Sequence, residues 1–219
     1  MIEIIPAILT NSYEELEETV RLIEPHTSRA HLDVADGVFV PNETIRGYSE
    51  LELITTDLKF DAHLMVRKPL DWLFHWNLEN VDRFIVHIES ENIAAVIKEL
   101  RSMGKNVGLT LNPNTSVSNI EPFVGLVDFI QFMTVNPGFQ GGDFLDYVVG
   151  KMRSFRKKYP KVIIAVDGGI NPTTAKSVIE AGADILVSGS FVLKSGNVSQ
   201  AIEELKKISE NTIADKSAS

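Results

Sequence analysis

Eight short strand-like runs alternate with helical stretches from one end of this 219-residue chain to the other. They fall at Glu3–Leu9, Ala30–Val34, Lys59–Met65, Arg83–His87, Asn106–Leu111, Phe129–Met133, Val162–Val166 and Ile185–Val187. Several, such as VIIAV and ADILV, are continuous apolar runs bounded by turn residues, the pattern of parallel strands covered on both faces. Ser12-Tyr13-Glu14-Glu15 has the form of a capping box, in which Ser12 accepts from first-turn N–H groups and Glu15 reaches back. Leu16, Val20 and Ile23 follow at the spacing of a buried helical stripe. Ile93–Met103 and Phe144–Tyr159 repeat that period, and Pro172 suits a first helical turn. This order predicts a single (β/α)8 barrel over residues 1–210, a little shorter than the ~250 residues usual for that fold. An open doubly wound sheet shares the spacing, but no GxGxxG turn follows the first strand and no linker marks a second domain. Residues 211–219 are polar, small and aperiodic, and are expected to form a flexible C-terminal tail.

Composition narrows the chemistry. There is no cysteine, which removes disulfides, thiolate nucleophiles and Cys-ligated zinc. The balance of 21 Lys+Arg against 30 Asp+Glu gives a net charge of −9, which argues against nucleic acid or an anionic membrane as partner. The opening MIEIIPAIL has no basic segment and meets Glu3 and Pro6 too early for a signal peptide. No apolar run approaches the ~18 residues of a membrane span. A cytoplasmic protein acting on a small molecule is expected.

In a barrel the chemistry belongs at the C-terminal ends of the strands. His31 and Asp33, two apart on the second strand, share a face. The third strand carries Asp61-Ala62-His63, the fourth ends at His87 and the seventh at Asp167. A lone His or Asp at a strand end is usually a hydrogen-bonded turn residue. His31, Asp33, His63 and Asp167 converging on one mouth point instead to a divalent metal site, whose donors do not by themselves name the metal. His87 has no obvious partner in the sequence and reads as a structural or supporting residue. Glycine-rich loops form a second constellation: Pro137-Gly138-Phe139-Gln140-Gly141-Gly142 after strand six, Gly168-Gly169 after strand seven and Gly189-Ser190 after strand eight. Consecutive backbone N–H groups in such loops can hold a phosphate. A phosphate so held fixes a small substrate over the metal, which polarises a carbonyl. Asp33 and Asp167, from well-separated strands, then face opposite sides of one carbon, and two acid/base groups straddling a planar intermediate invert a stereocentre.

The segments HLDVADGVFVPN (31–42), DAHLMV (61–66), VHIES (86–90), GLTLNPNT (108–115), MTVNPGF (133–139), VDGGINPTTA (166–175) and AGADILVSGS (181–190) resemble the ribulose-phosphate 3-epimerase family, in order and over roughly residues 2–210. The resemblance implies a (β/α)8 barrel, one divalent metal ion (zinc, iron, manganese or cobalt), a homo-oligomer, and interconversion of D-ribulose 5-phosphate and D-xylulose 5-phosphate through an enediolate. It puts the metal ligands on His31, Asp33, His63 and Asp167 and the acid/base pair on Asp33 and Asp167. Substrate and phosphate contacts fall on His63, Gly138, Phe139, Gln140, Gly141, Gly168, Gly169, Gly189 and Ser190, and the pocket walls on Met65 and Met133. The departures cluster at the same rim. Ala7 stands where the family usually has a substrate-touching serine. Ala35 replaces a methionine and is expected to enlarge the pocket, Val38 replaces a common histidine, and Arg46 a glycine. Gln140 enters a glycine position, and Gly142 removes a glutamine. Two alternatives follow: the same chemistry on another ketose phosphate such as a ketohexose 6-phosphate, or a non-catalytic sugar-phosphate binder.

Overall fold

The computed structural model describes residues 2–218. Eight parallel strands close into one barrel in sequence order: β1 (Glu3–Ile8), β2 (Arg29–Ala35), β3 (Lys59–Met65), β4 (Val81–His87), β5 (Asn106–Leu111), β6 (Phe129–Met133), β7 (Ile163–Asp167) and β8 (Ile185–Ser188), with β8 pairing back onto β1. Every expected strand is present, with ends displaced by two residues at most. The helices are α1 (Tyr13–Ile23), α2 (Tyr48–Leu51), α3 (Leu70–Leu73), α4 (Ile93–Ser102), α5 (Tyr147–Lys158), α6 (Pro172–Glu180), α7 (Ser190–Leu193) and α8 (Val198–Ala218). Between β5 and β6 the connection is two 3₁₀ turns, Val117–Asn119 and Glu121–Phe123, where Pro122 withholds a backbone donor. Among the described residues no helix is long and apolar enough to cross a membrane.

Three local readings differ from expectation. Ser12 does cap α1, its Oγ accepting from Glu15 N at 3.1 Å. The Glu15 carboxylate, however, takes the Thr10 hydroxyl instead of the Ser12 N–H, which donates to Thr10 Oγ1 at 3.1 Å. Helix α5 starts three residues later than Phe144, because Leu145 N is tied to Thr134 O at 2.8 Å before the helix begins. Residues 211–218, set apart as a tail in the sequence, continue α8 as helix; Thr212 is buried and its hydroxyl donates to Ile208 O at 2.7 Å. Ser219 lies outside the described residues.

Strand alternation sorts side chains into two cores. Outward-facing Leu32, Val34, Phe60, Leu64, Phe84, Ile130, Phe132 and Leu186 are buried beneath the helices. Inward-facing Ile5, Ala7, Ile85, Phe129, Ala165, Ile185 and Val187 fill the barrel itself. Phe129 needs space from β5: a Cβ added at Gly108 would meet its ring at 2.3 Å. Below this layer the strand N-termini carry charge. Arg29 Nη1 lies 2.6 Å from both Asp61 and Asp82, and Arg83 Nη1 lies 3.1 Å from Glu3. This ion cluster is the floor of the barrel, and the polar mouth lies at the other end.

A Gly108→Ala replacement is expected to lower stability by about 1–3 kcal/mol through overpacking, read from urea unfolding. Adding Phe129→Leu should recover part of that loss. An unchanged midpoint in the single variant would show that the ring is free to move.

Candidate active site

Four of the predicted residues meet at the mouth. The β2–β3 register aligns Asp33 with His63 and His31 with Asp61. His63 Nδ1 lies 2.7 Å from Asp33 Oδ1 and 3.5 Å from Asp167 Oδ2. His31 Nε2 lies 3.4 Å from Asp33 Oδ1 and 3.7 Å from Asp167 Oδ2. One donor atom from each of the four falls within 4.8 Å of the others, and all four residues are buried. Neither ring nitrogen of His31 has a hydrogen-bond partner, although both are fully buried. Buried polar atoms are nearly always satisfied, so an imidazole left unpaired beside two carboxylates fits a cation among them. The group could hold a divalent metal ion.

The same packing separates the two aspartates. Burial alone would raise Asp33, but the nearby imidazoles of His31 and His63 outweigh it and hold the carboxyl well below the usual range. Asp167 is pushed up to about 6 by burial and by the Asp33 charge, against the pull of His31 and His63. Burial disfavours a charged His31, yet Asp33, Asp61 and Asp167 around it raise its value from 6.5 to about 10.

Above these groups opens a cavity whose walls include Ala7, Asp33, His63, Met65, Met133 and Asp167. Its rim is made by Gly138, Phe139, Gln140, Gly141, Gly168, Gly169, Gly189 and Ser190. His31 sits beneath it. Ala35 is not among its lining residues; it packs with Val40 and Met65 under Leu9 and Phe39. Val38 and Arg46 are exposed.

Two glycines show why the rim has this composition. Gly168 has φ of +109°, and a Cβ there would lie 2.4 Å from Val135 Cγ2. Gly138 has φ of +113°, a Cβ there would lie 2.9 Å from Val40 Cβ, and its carbonyl accepts from Asn42 Nδ2 at 2.6 Å. Among the described residues the N–H groups of Gly168, Gly169 and Gly189 have no hydrogen-bond partner. They are donors available to an anion. The Gln140 carboxamide also has no partner among the described residues, and its Nε2 stands 3.5 Å from where a Gly189 Cβ would lie.

Three side chains at the site escaped sequence reasoning or were under-read. Gln131, in the middle of the apolar run FIQFM, is buried and its Nε2 lies 3.4 Å from Asp167 Oδ2. A lone amide in a buried strand was the available signal. His87, without an obvious partner in the sequence, lies 2.9 Å from His63, Nε2 to Nε2. Burial holds His87 down to about 4, against the pull of Glu89. Glu89 is kept below its ordinary value: burial would raise it, but the neighbouring His87 imidazole and hydrogen bonds from the Thr115 hydroxyl and the Asn112 N–H outweigh that.

The class defined is a closed parallel barrel with a buried two-histidine, two-aspartate set, able to hold a metal ion, under a glycine-lined mouth. The family model described as "Ribulose-phosphate 3 epimerase family" matches residues 3–193. The chain is 36% identical over 211 residues to the chloroplastic ribulose-5-phosphate-3-epimerase of Arabidopsis thaliana, covering 92% of this chain and 75% of that one. It is 35% identical to the ribulose-phosphate 3-epimerase of Bacillus subtilis, covering 94% and 99%. Among solved structures, the 3-hexulose-6-phosphate synthase from Salmonella typhimurium shares the fold, with a TM-score of 0.66, 14% identity and coverage of 96% and 100%. The chain belongs to the ribulose-phosphate 3-epimerase family.

A group that holds its proton more tightly when folded adds stability that is complete below its ordinary value and is lost as pH rises through its folded value. For His31 that window runs from 6.5 to about 10. In chelator-treated protein the thermal midpoint should therefore fall across this range, and a His31→Gln variant should lack that component. A flat wild-type profile would contradict it.

Proposed function

We propose that this protein inverts C3 of D-ribulose 5-phosphate to give D-xylulose 5-phosphate, with one divalent cation held by His31, Asp33, His63 and Asp167. The observation that carries the reading is the pair of buried aspartates with opposite protonation tendencies, one from β2 and one from β7, under a mouth that can accept a phosphate. Zinc, iron, manganese and cobalt all suit two imidazoles and two carboxylates. When bound, such an ion supplies Lewis-acid polarisation of the substrate carbonyl and stabilises negative charge on its oxygen.

The chain's own residues do the proton work. Asp33, ionised, takes the C3 proton from one face; Asp167, protonated, delivers a proton to C3 of the planar enediolate from the other. The proton then sits on Asp33, and exchange with solvent through the mouth, or the return reaction, restores the starting state. Gln131, which reaches Asp167 Oδ2, holds that carboxyl in place. Met65 and Met133 give the reacting carbon a polarisable, water-excluding wall. The unpartnered N–H groups of Gly168, Gly169 and Gly189, with Ser190 and the Gly138–Gly141 loop, hold the phosphate by backbone dipoles despite the acidic surface.

A longer ketose phosphate drew its support from extra room at Ala35. Ala35 packs against Val40 and the wall residue Met65 without itself lining the cavity, so that support is weak. A purely binding role is disfavoured by the complete set of four donors.

The test is NMR of D-ribulose 5-phosphate with metal-replete protein in D₂O. Deuterium should enter at C3 as the xylulose isomer appears, and Asp33→Asn or Asp167→Asn should slow turnover by at least about 10²-fold. No exchange and no epimer in the wild type would sink the reading. Gln140→Glu should raise KM for the ketose phosphate about tenfold, by facing a carboxylate toward the phosphate, equivalent to about 1.4 kcal/mol. Its kcat should be little changed. An unaltered KM would place the phosphate elsewhere.

A further inference from the structure

Behind His63, away from the cavity, a chain of polar contacts leads outward. His63 Nε2 and His87 Nε2 are 2.9 Å apart, and the two rings stack with centroids 5.0 Å apart at 19°. On its other side His87 Nδ1 lies 3.4 Å from Glu89 Oε2. Glu89 is itself fixed: the Asn112 N–H donates to Oε1 at 2.8 Å and the Thr115 hydroxyl donates to the same oxygen, which leaves Oε2 for His87. The Phe39 ring packs on His87 with centroids 4.7 Å apart.

Two imidazole nitrogens at this distance form a hydrogen bond only when one carries a proton and the other a lone pair. With both rings neutral, the pair has two arrangements. In the first, His63 Nδ1–H donates to Asp33 Oδ1, which lies 2.7 Å away. His87 Nε2–H then donates to His63 Nε2, and His87 Nδ1, without a proton, faces the Glu89 carboxylate with no hydrogen bond. His87 Nδ1 is buried without a hydrogen-bond partner, and this arrangement leaves it so. In the second, His63 carries its proton on Nε2 and donates to His87 Nε2, and His87 Nδ1–H donates to Glu89. Only the second leaves a lone pair on His63 Nδ1, the nitrogen that faces Asp33 and Asp167. Going from first to second, one proton leaves His63 Nδ1 through Asp33, one passes from His87 to His63, and one enters His87 Nδ1 from solvent past Glu89, whose side chain is 23% exposed. The proton count of the pair is unchanged.

We propose that His87 and Glu89 are positioning residues: together they set which nitrogen of His63 is protonated, and Glu89 favours the arrangement in which His63 Nδ1 can bind a cation. This rests on the cation site described above but not on the reaction. Metal-bound histidines commonly donate their other N–H to a carboxylate or carbonyl; here a second imidazole is interposed between ligand and carboxylate.

The relay is read directly by long-range ¹H–¹⁵N correlation NMR of histidine-labelled full-length protein, without and with Zn²⁺. His87 is expected to switch from the Nε2–H to the Nδ1–H form as the ion is added. Glu89→Gln should weaken Zn²⁺ and Co²⁺ binding by about 10–100-fold in competition with a chromophoric chelator, with the metal-free unfolding midpoint nearly unchanged. Should Glu89→Gln fail to fold, Thr115→Val removes one donor from Glu89 and should weaken Co²⁺ binding by about threefold. The proposal is overturned if His87 keeps its proton on Nε2 with Zn²⁺ present, if the variant that folds binds ions as tightly as wild type, or if wild type binds no divalent ion. Ion binding with the tautomer switch, but no epimerisation, would support the relay and sink the proposed activity.

Discussion

The contact between Asp33 and His63 across β2 and β3 is the interaction on which the site depends. It is a consequence of register: Asp33 is the pairing partner of His63, and His31 that of Asp61. A slip of one residue would send every one of these side chains to the outer face and bring Leu32, Val34 and Leu64 into the mouth. That slip is opposed by the helices, under which those three residues are fully buried. Each is worth about 1.5–3 kcal/mol of burial, so the outer core holds the inner chemistry in alignment. The polar centre needs no loop to assemble it, because rigid strands deliver it.

That rigidity lets two identical side chains behave differently. Asp33 lies 2.7 Å from His63 and 3.4 Å from His31 and stays ionised, whereas Asp167, at 3.5 Å and 3.7 Å from the same rings, has burial and the Asp33 charge prevailing against ionisation. Gln131 on the adjacent strand is a neutral donor, which positions Asp167 without cancelling that asymmetry. The division of labour follows from which strand each aspartate occupies.

Much of this was legible in the sequence, for identifiable reasons. Continuous apolar runs with turn residues at their ends marked the strands, and a spacing of two put His31 and Asp33 on one face. The glycine loops stood out because no other residue suits both the positive φ and the close approach at Gly138 and Gly168. The failures were those of pairing. Nothing local says that His87 lies against His63, because their contact is diagonal across β3 and β4: His63 pairs with Ile85, two residues earlier. Glu89 lies beyond the end of its strand, and its partners Asn112 and Thr115 come from the next loop. Likewise the polar stretch after residue 210 hid a helical continuation, because among residues 211–215 only Thr212 is buried.

The charged floor has a consequence for how such a barrel can change over generations. In barrels of this kind the rim loops carry the chemistry and can be rewritten, while the opposite end bears on stability. Asp61 breaks that independence. One oxygen lies 2.6 Å from Arg29, and the other stands 3.7 Å from Arg83 and 3.9 Å from His31. A substitution among the floor arginines thus alters the field felt by a mouth histidine. Drift at the end of the barrel remote from any ligand is therefore not silent: it retunes the mouth, and the two ends must evolve in concert.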